Sequence, residues 1–153
     1  MKILIFILYI IFVTNNSNFN DIYIPEDAIK YANKYCSNYN QLYNTYEVKE
    51  SENINFVSQC LFAGGQSFSG CKGKDQFGML KSYNYLQKCL KEKGWNESEK
   101  RESGFKAGYP FLNKNRQFML ATGFKDGKII YCSHNEDKCN GEIEEKDLVF
   151  YYL

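Results

Sequence analysis

The sequence predicts an α+β domain in which helices come first, an antiparallel sheet follows, and disulfides stabilise the whole. Apolar residues recur at helical spacing up to about residue 93, and extended runs joined by a tight turn fill the remainder. Six cysteines follow an amino terminus that reads as an export signal.

Met1-Lys2 precedes an unbroken apolar run, Ile3 to Val13, and then a polar stretch rich in Asn and Ser. Eleven apolar residues behind one positive charge suit a secretory signal, whereas a bilayer-spanning helix needs roughly 20. Residues 1–18 are therefore expected to be a signal peptide, removed to leave one domain over 19–153 with no stable membrane span. The expected location is outside the cell or in the lumen of the secretory pathway.

Pro25-Glu26-Asp27 starts the first helix, with Pro at its first position and acids in its first turn. Ala28, Tyr31, Ala32 and Tyr35 then form its stripe. A second helix runs through Ile54–Ala63 and stops at Gly64-Gly65. A glycine-bearing loop, Gln66 to Gly78, leads to a third helix from about Met79 to Lys93, which Gly94 ends.

Strands are expected at Gly108–Phe111, Phe118–Gly123, Lys128–Ser133 and Leu148–Leu153, with Pro110 at a strand start or edge. Lys125-Asp126-Gly127 is a hairpin turn, because Asp-Gly supplies the positive φ angles that primed turns require. Glu142 to Asp147 alternates charge and reads as a solvated turn.

Nineteen Lys and Arg against eighteen Asp and Glu leave a net charge of +1, which argues against nucleic acid as a partner. One His and no pair of Cys-x2-Cys spacings argue against a metal, and nothing calls for a cofactor. Cys36, Cys60, Cys71, Cys89, Cys132 and Cys139 are all disulfide candidates, with connectivity open. Cys132 and Cys139 bracket a polar segment and offer one loop closure, while Cys60 reads as a disulfide or core residue. Asn96-Glu97-Ser98 is an N-glycosylation acceptor. The abundant tyrosines read as core and composition bias, with a stacking or carbohydrate-binding surface as the alternative.

The segment Asn53-Ile54-Asn55-Phe56-Val57-Ser58-Gln59-Cys60-Leu61, followed by Gly64-Gly65, resembles the signature of the putative amidase domain family, which is related to papain-like cell-wall hydrolases. That signature reads Asp-Cys-Thr-Asn-Phe-Val-Ser-Gln. Ala28-Ile29-Lys30-Tyr31-Ala32 is similar to the family's opening helix. Met119 to Asp137 is similar to its hairpin, in which a strand starting with the catalytic His runs into a Thr-Gly turn. Phe150-Tyr151-Tyr152-Leu153 resembles its closing strand.

The resemblance implies a papain-like fold and amide hydrolysis through a thioester, on peptide or cell-wall amides. In such a site a Cys opens a helix, a strand His activates it, and a third polar group orients the imidazole. Carried over residue by residue, the nucleophile's position holds Asn53, the histidine's holds Gln117, and the third holds His134. A carboxamide cannot become a thiolate, and glutamine has no proton to exchange near neutral pH. The resemblance therefore implies a pseudoenzyme that binds a peptide, glycan or protein ligand in the relic cleft. The alternative is an unorthodox hydrolase using Cys132 with His134, two residues apart on one strand face.

Overall fold

A computed structural model of the protein describes residues 22–153, so the expected signal peptide lies outside the described residues. Three helices, α1 (Pro25–Tyr35), α2 (Lys49–Ala63) and α3 (Tyr83–Glu92), precede six strands. The strands are β1 (Asn96–Ser98), β2 (Pro110–Leu112), β3 (Phe118–Lys125), β4 (Lys128–Ser133), β5 (Lys138–Glu144) and β6 (Val149–Tyr152). They form one antiparallel sheet in the order β1-β6-β2-β3-β4-β5. Among the described residues no helix is long and apolar enough to cross a membrane.

Local chemistry accounts for most boundaries. Pro25 opens α1, and Pro110 opens β2. Asp126 and Gly127, with φ of 50° and 78°, make the primed turn between β3 and β4. Thr122-Gly123, expected at the end of a strand although the resemblance implied a Thr-Gly turn, lies inside β3, where the register with β4 shifts between Ala121 and Gly123.

Three expectations about element bounds are corrected. Helix α2 begins at Lys49, five residues before Ile54, because Glu52 donates its amide to Val48 while its carboxylate accepts the Tyr46 amide at 2.7 Å. Helix α3 is shorter than expected: Leu80 instead bridges to Lys74, and Ser58 Oγ accepts its amide at 3.1 Å. Residues 142–144 of the expected turn belong to β5, whose Ile143 faces Ile129 across the ladder. The glycosylation acceptor Asn96-Glu97-Ser98 forms edge strand β1, paired with β6, and Asn96 is exposed there.

The core lies between helices and sheet. Helix α2 is buried continuously from Glu52 to Leu61, because α1, α3 and β3 surround it there. Leu112 and Phe118, and Leu120 and Cys132, are cross-strand partners on the sheet face toward the helices. Cys132 Sγ lies 3.7 Å from Asn33 Oδ1 of α1, and Tyr83 of α3 packs against Phe118. Phe111, Met119, Ala121 and Tyr131 share the opposite face. There Phe105 covers Phe111 and Phe150 edge-on.

Two disulfides close the fold, Cys36–Cys139 and Cys71–Cys89. Cys60 and Cys132 are free thiols and both are buried. The loop closure suggested for Cys132 and Cys139 therefore does not form. The shift between Tyr131 and Ser133 sets Cys139 and Asn140 of β5 against Cys132 alone, and Cys132 turns toward the helices while Cys139 reaches the end of α1.

Candidate functional site

The residues expected to form the site come from three elements. Asn53 lies in α2, one turn inside it and not at its opening as the resemblance implied. Gln117 immediately precedes β3, and His134 immediately follows β4.

Asn53 is 2% exposed and its carboxamide is engaged at both ends. Nδ2 donates to the Phe118 carbonyl at 2.6 Å. Oδ1 accepts from Ser133 Oγ and from the His134 amide, each at 2.9 Å. One side chain thus joins the second helix to the beginning of β3 and the end of β4. An amide serves here where a thiol would not, since it offers a donor and two acceptor lone pairs in a fixed plane.

His134 is equally buried, at 2% exposure. Its ring stacks on Phe56 at 3.8 Å between centroids, and Tyr39 meets it edge-on at 4.3 Å. Nε2 lies 2.7 Å from the Tyr35 carbonyl and Nδ1 lies 3.0 Å from Glu52 Oε1. Each neighbour offers an oxygen acceptor, so both ring nitrogens are engaged by the fold. Neither nitrogen is left to take a proton from a nucleophile. Glu52, adjacent to Asn53 and matching the signature's Asp, is the partner that sequence reasoning missed. Its own position in the motif was the available signal.

Gln117 is half-buried and is drawn away from Asn53. Its Oε1 accepts from Asn113 Nδ2 at 2.7 Å, and its amide donates to Asn113 Oδ1 at 3.0 Å. It lines a cleft of about 190 Å³ together with Met119, Tyr131, Ser133 and Asn135. The three expected positions are therefore neighbours in the fold: Asn53 bonds the residue after Gln117 and the backbone of His134. Their side chains do not converge on one reacting point. A separate hollow of about 450 Å³ lies before the first turn of α2, lined by Tyr46, Val48, Ser51 and Lys81.

The remaining polar residues of the signature are structural. Asn55, Ser58 and Gln59 are buried, and each bonds a neighbouring segment or another member of the set. Asn55 Nδ2 donates to Asp75 Oδ2 at 3.0 Å, Gln59 Nε2 to Asn55 Oδ1 at 2.6 Å, and Tyr31 hydroxyl to Gln59 Oε1 at 2.6 Å. These bonds join α1, α2 and the loop after it.

Neither free thiol has the surroundings of a nucleophile. Cys60 and Cys132 are both fully buried, and burial pushes each thiol above its usual pKa, most strongly at Cys60. Cys132, the alternative nucleophile, points to Asn33 and not to the imidazole two residues on, whose nitrogens are already bonded.

Residues 22–151 match a family model described as a putative amidase domain. No curated protein and no solved structure matches the chain.

Proposed function

The chain belongs to the putative amidase domain family, and from that premise we propose that it is a secreted, non-hydrolytic member of papain-like type that binds a peptide, glycan or protein ligand. The observation that carries this reading is Asn53: the position matched to the nucleophile holds a buried carboxamide, and its three hydrogen bonds tie α2 to β3 and β4. A second support is the state of the thiols, since the free cysteines are buried and shifted toward the neutral form. The inherited frame then works as a clip that holds helix to sheet, because fold alone does not confer activity. Export is supported by the two disulfides, which persist in oxidising compartments.

The test is a paired assay on the purified, oxidised protein. Peptide amides and amide-linked cell-wall fragments are incubated and followed by mass spectrometry, and the protein is treated in parallel with a thiol-directed covalent probe. No product above the buffer control and no labelled cysteine are expected. Turnover abolished by His134→Ala, or rapid labelling of one cysteine in the folded protein, overturns the reading.

A further inference from the structure

On the sheet face turned away from the helices, a groove runs between the β2–β3 turn and β5. It consists of the cleft beside Gln117, about 190 Å³, and a neighbouring one of about 380 Å³. The two share Asn113, Asn115 and Ile143 as a common wall.

The floor is apolar and carries one aromatic ring. Tyr131 is half-buried, with its edge toward Phe111. The outer end of its ring lies across Gly141 of β5: a Cβ at Gly141 would stand 2.8 Å from Cζ and 2.9 Å from Cε1. Glycine therefore allows the ring to lie down on the neighbouring strand. Ile143 and the buried Met119 complete the apolar surface.

The walls carry carboxamides and balanced charge. Asn113 spends its side chain on the turn, accepting the amides of Asn115 and Gln117 and donating to Gln117 Oε1. This orients Gln117, whose Nε2 finds no acceptor among the described residues and remains a donor at the groove wall. Asn115 and Asn135 add two further amides. Three lysines, Lys114, Lys138 and Lys146, face four carboxylates, those of Glu136, Glu142, Glu144 and Asp147. Such a wall gives a polyanion no net attraction. Strands β3 and β4 of the floor are paired on both sides and present side chains there; the free ladder edge is that of β5, where an extended peptide would add as a further strand outside the groove and not on its floor.

A supported aromatic ring, amide donors and acceptors at several heights and a near-neutral rim match a ligand that alternates C–H faces with hydroxyl or acetamido groups. We infer that this groove binds a neutral oligosaccharide, with one sugar ring on Tyr131 and polar contacts to Gln117 and the flanking asparagines. This rests on the non-hydrolytic reading above and names the ligand class, and it places the contact beside Gln117 on the far face of the sheet.

The test uses the full oxidised chain, ¹⁵N-labelled, titrated with cellotriose, maltotriose, mannotriose and N-acetylated chitotriose, with a heparin-derived tetrasaccharide as the anionic comparison. At least one neutral trisaccharide is expected to shift the amide resonances of Gln117, Tyr131 and Lys138. Tyr131→Ala should weaken that binding about tenfold or more, and Tyr131→Phe should stay within about threefold of the parent. Gly141→Ala, which displaces the ring without removing it, should weaken binding too. Phe77→Ala, an exposed aromatic elsewhere, should leave it unchanged and guards against nonspecific stacking.

Absence of any shift with all four neutral sugars at about 10 mM overturns the inference. So does binding indifferent to Tyr131→Ala, or tighter binding of the anionic tetrasaccharide. The amide-hydrolysis assay described above, run on the same protein preparation, separates the two readings. Cleaved amides alongside Tyr131-dependent sugar binding refute the non-hydrolytic reading and leave the groove standing. Intact amides without sugar binding do the reverse.

Discussion

Replacing Asn53 by alanine removes a bond to each of three groups that the fold keeps from water: the Phe118 carbonyl, the Ser133 hydroxyl and the His134 amide. A buried polar group left without a partner costs about 1–3 kcal/mol. Ser133 Oγ keeps the bond it accepts from the Asn135 amide at 3.1 Å, so the loss of its donor partner together with the two stranded backbone groups, with partial relief by relaxation or an entering water, amounts to about 3–5 kcal/mol, a large part of the stability of about 5–15 kcal/mol typical of a domain. The corresponding fall in Tm is about 10–20 °C at this size. The single tryptophan, Trp95, is buried and hydrogen-bonded to Gln66, so its fluorescence reports urea unfolding directly. The midpoint should fall while the slope with denaturant stays the same. Asn53→Asp is the companion variant, since it retains acceptors for Ser133 and His134 but sets a carboxylate oxygen against the Phe118 carbonyl, only 2.6 Å from the present amide nitrogen. It should be destabilised at neutral pH and partly restored in acid, where the carboxyl gains a proton to donate. A loss below about 1 kcal/mol for Asn53→Ala would mean that the carboxamide is not a clip, and the account of why this position departs from the family's cysteine would fail.

The remaining predictions concern groups around the same frame. Glu52→Ala and His134→Ala should each destabilise by about 3–5 kcal/mol, and their double-mutant cycle should show a coupling of about 1–3 kcal/mol by urea unfolding. A coupling near zero would show that the 3.0 Å contact is incidental. In the folded, oxidised protein no thiol should react with an aromatic disulfide reagent within minutes at pH 8, whereas unfolding without reductant should release two thiols per chain, those of Cys60 and Cys132. Because burial raises both thiols above the usual 9.0, the folded state holds their protons longer than the unfolded chain, so stability falls as pH rises past 9; Cys60→Ala should lessen that fall in thermal unfolding. Asp137 shifts the other way: the Tyr39 hydroxyl donates to it at 2.5 Å and Lys49 stands 3.4 Å away, which lowers its carboxyl from the usual 3.8. The stability it contributes is present above that value and lost as pH falls below it, so Asp137→Asn should flatten the acid limb of the Tm profile.

Much of this architecture is written locally. Pro25-Glu26-Asp27, the Gly64-Gly65 stop and Asp126-Gly127 each carry their own backbone chemistry, and the elements beside them form where that chemistry places them. Strand β1 was not legible because three residues, Asn96 to Ser98, are held extended only by β6, more than fifty positions away. Strand β5 has few strand-forming side chains, and its pairing depends on Lys128 and Ile129 across the ladder. The start of α2 was hidden because no side chain caps it, while a carboxylate of its first turn reaches back to Tyr46. In the site, the amide identity of two key positions was readable from the motif, but their hydrogen bonds were not. The tie from Asn53 to Phe118, like the bridge from Cys36 to Cys139, spans a distance in sequence that periodicity does not encode.

The seclusion of the two thiols bears on how long the cross-links last. A disulfide is rearranged when a thiolate reaches one of its sulfurs, and the fastest attacker is a chain's own ionised cysteine. A nucleophilic cysteine in the family's position would be such an attacker, carried permanently on the second helix. With asparagine there and both remaining sulfhydryls sealed inside, the folded molecule has no internal agent to reshuffle Cys36–Cys139 or Cys71–Cys89. The pairing set at folding should therefore endure for as long as the chain stays folded in an oxidising medium.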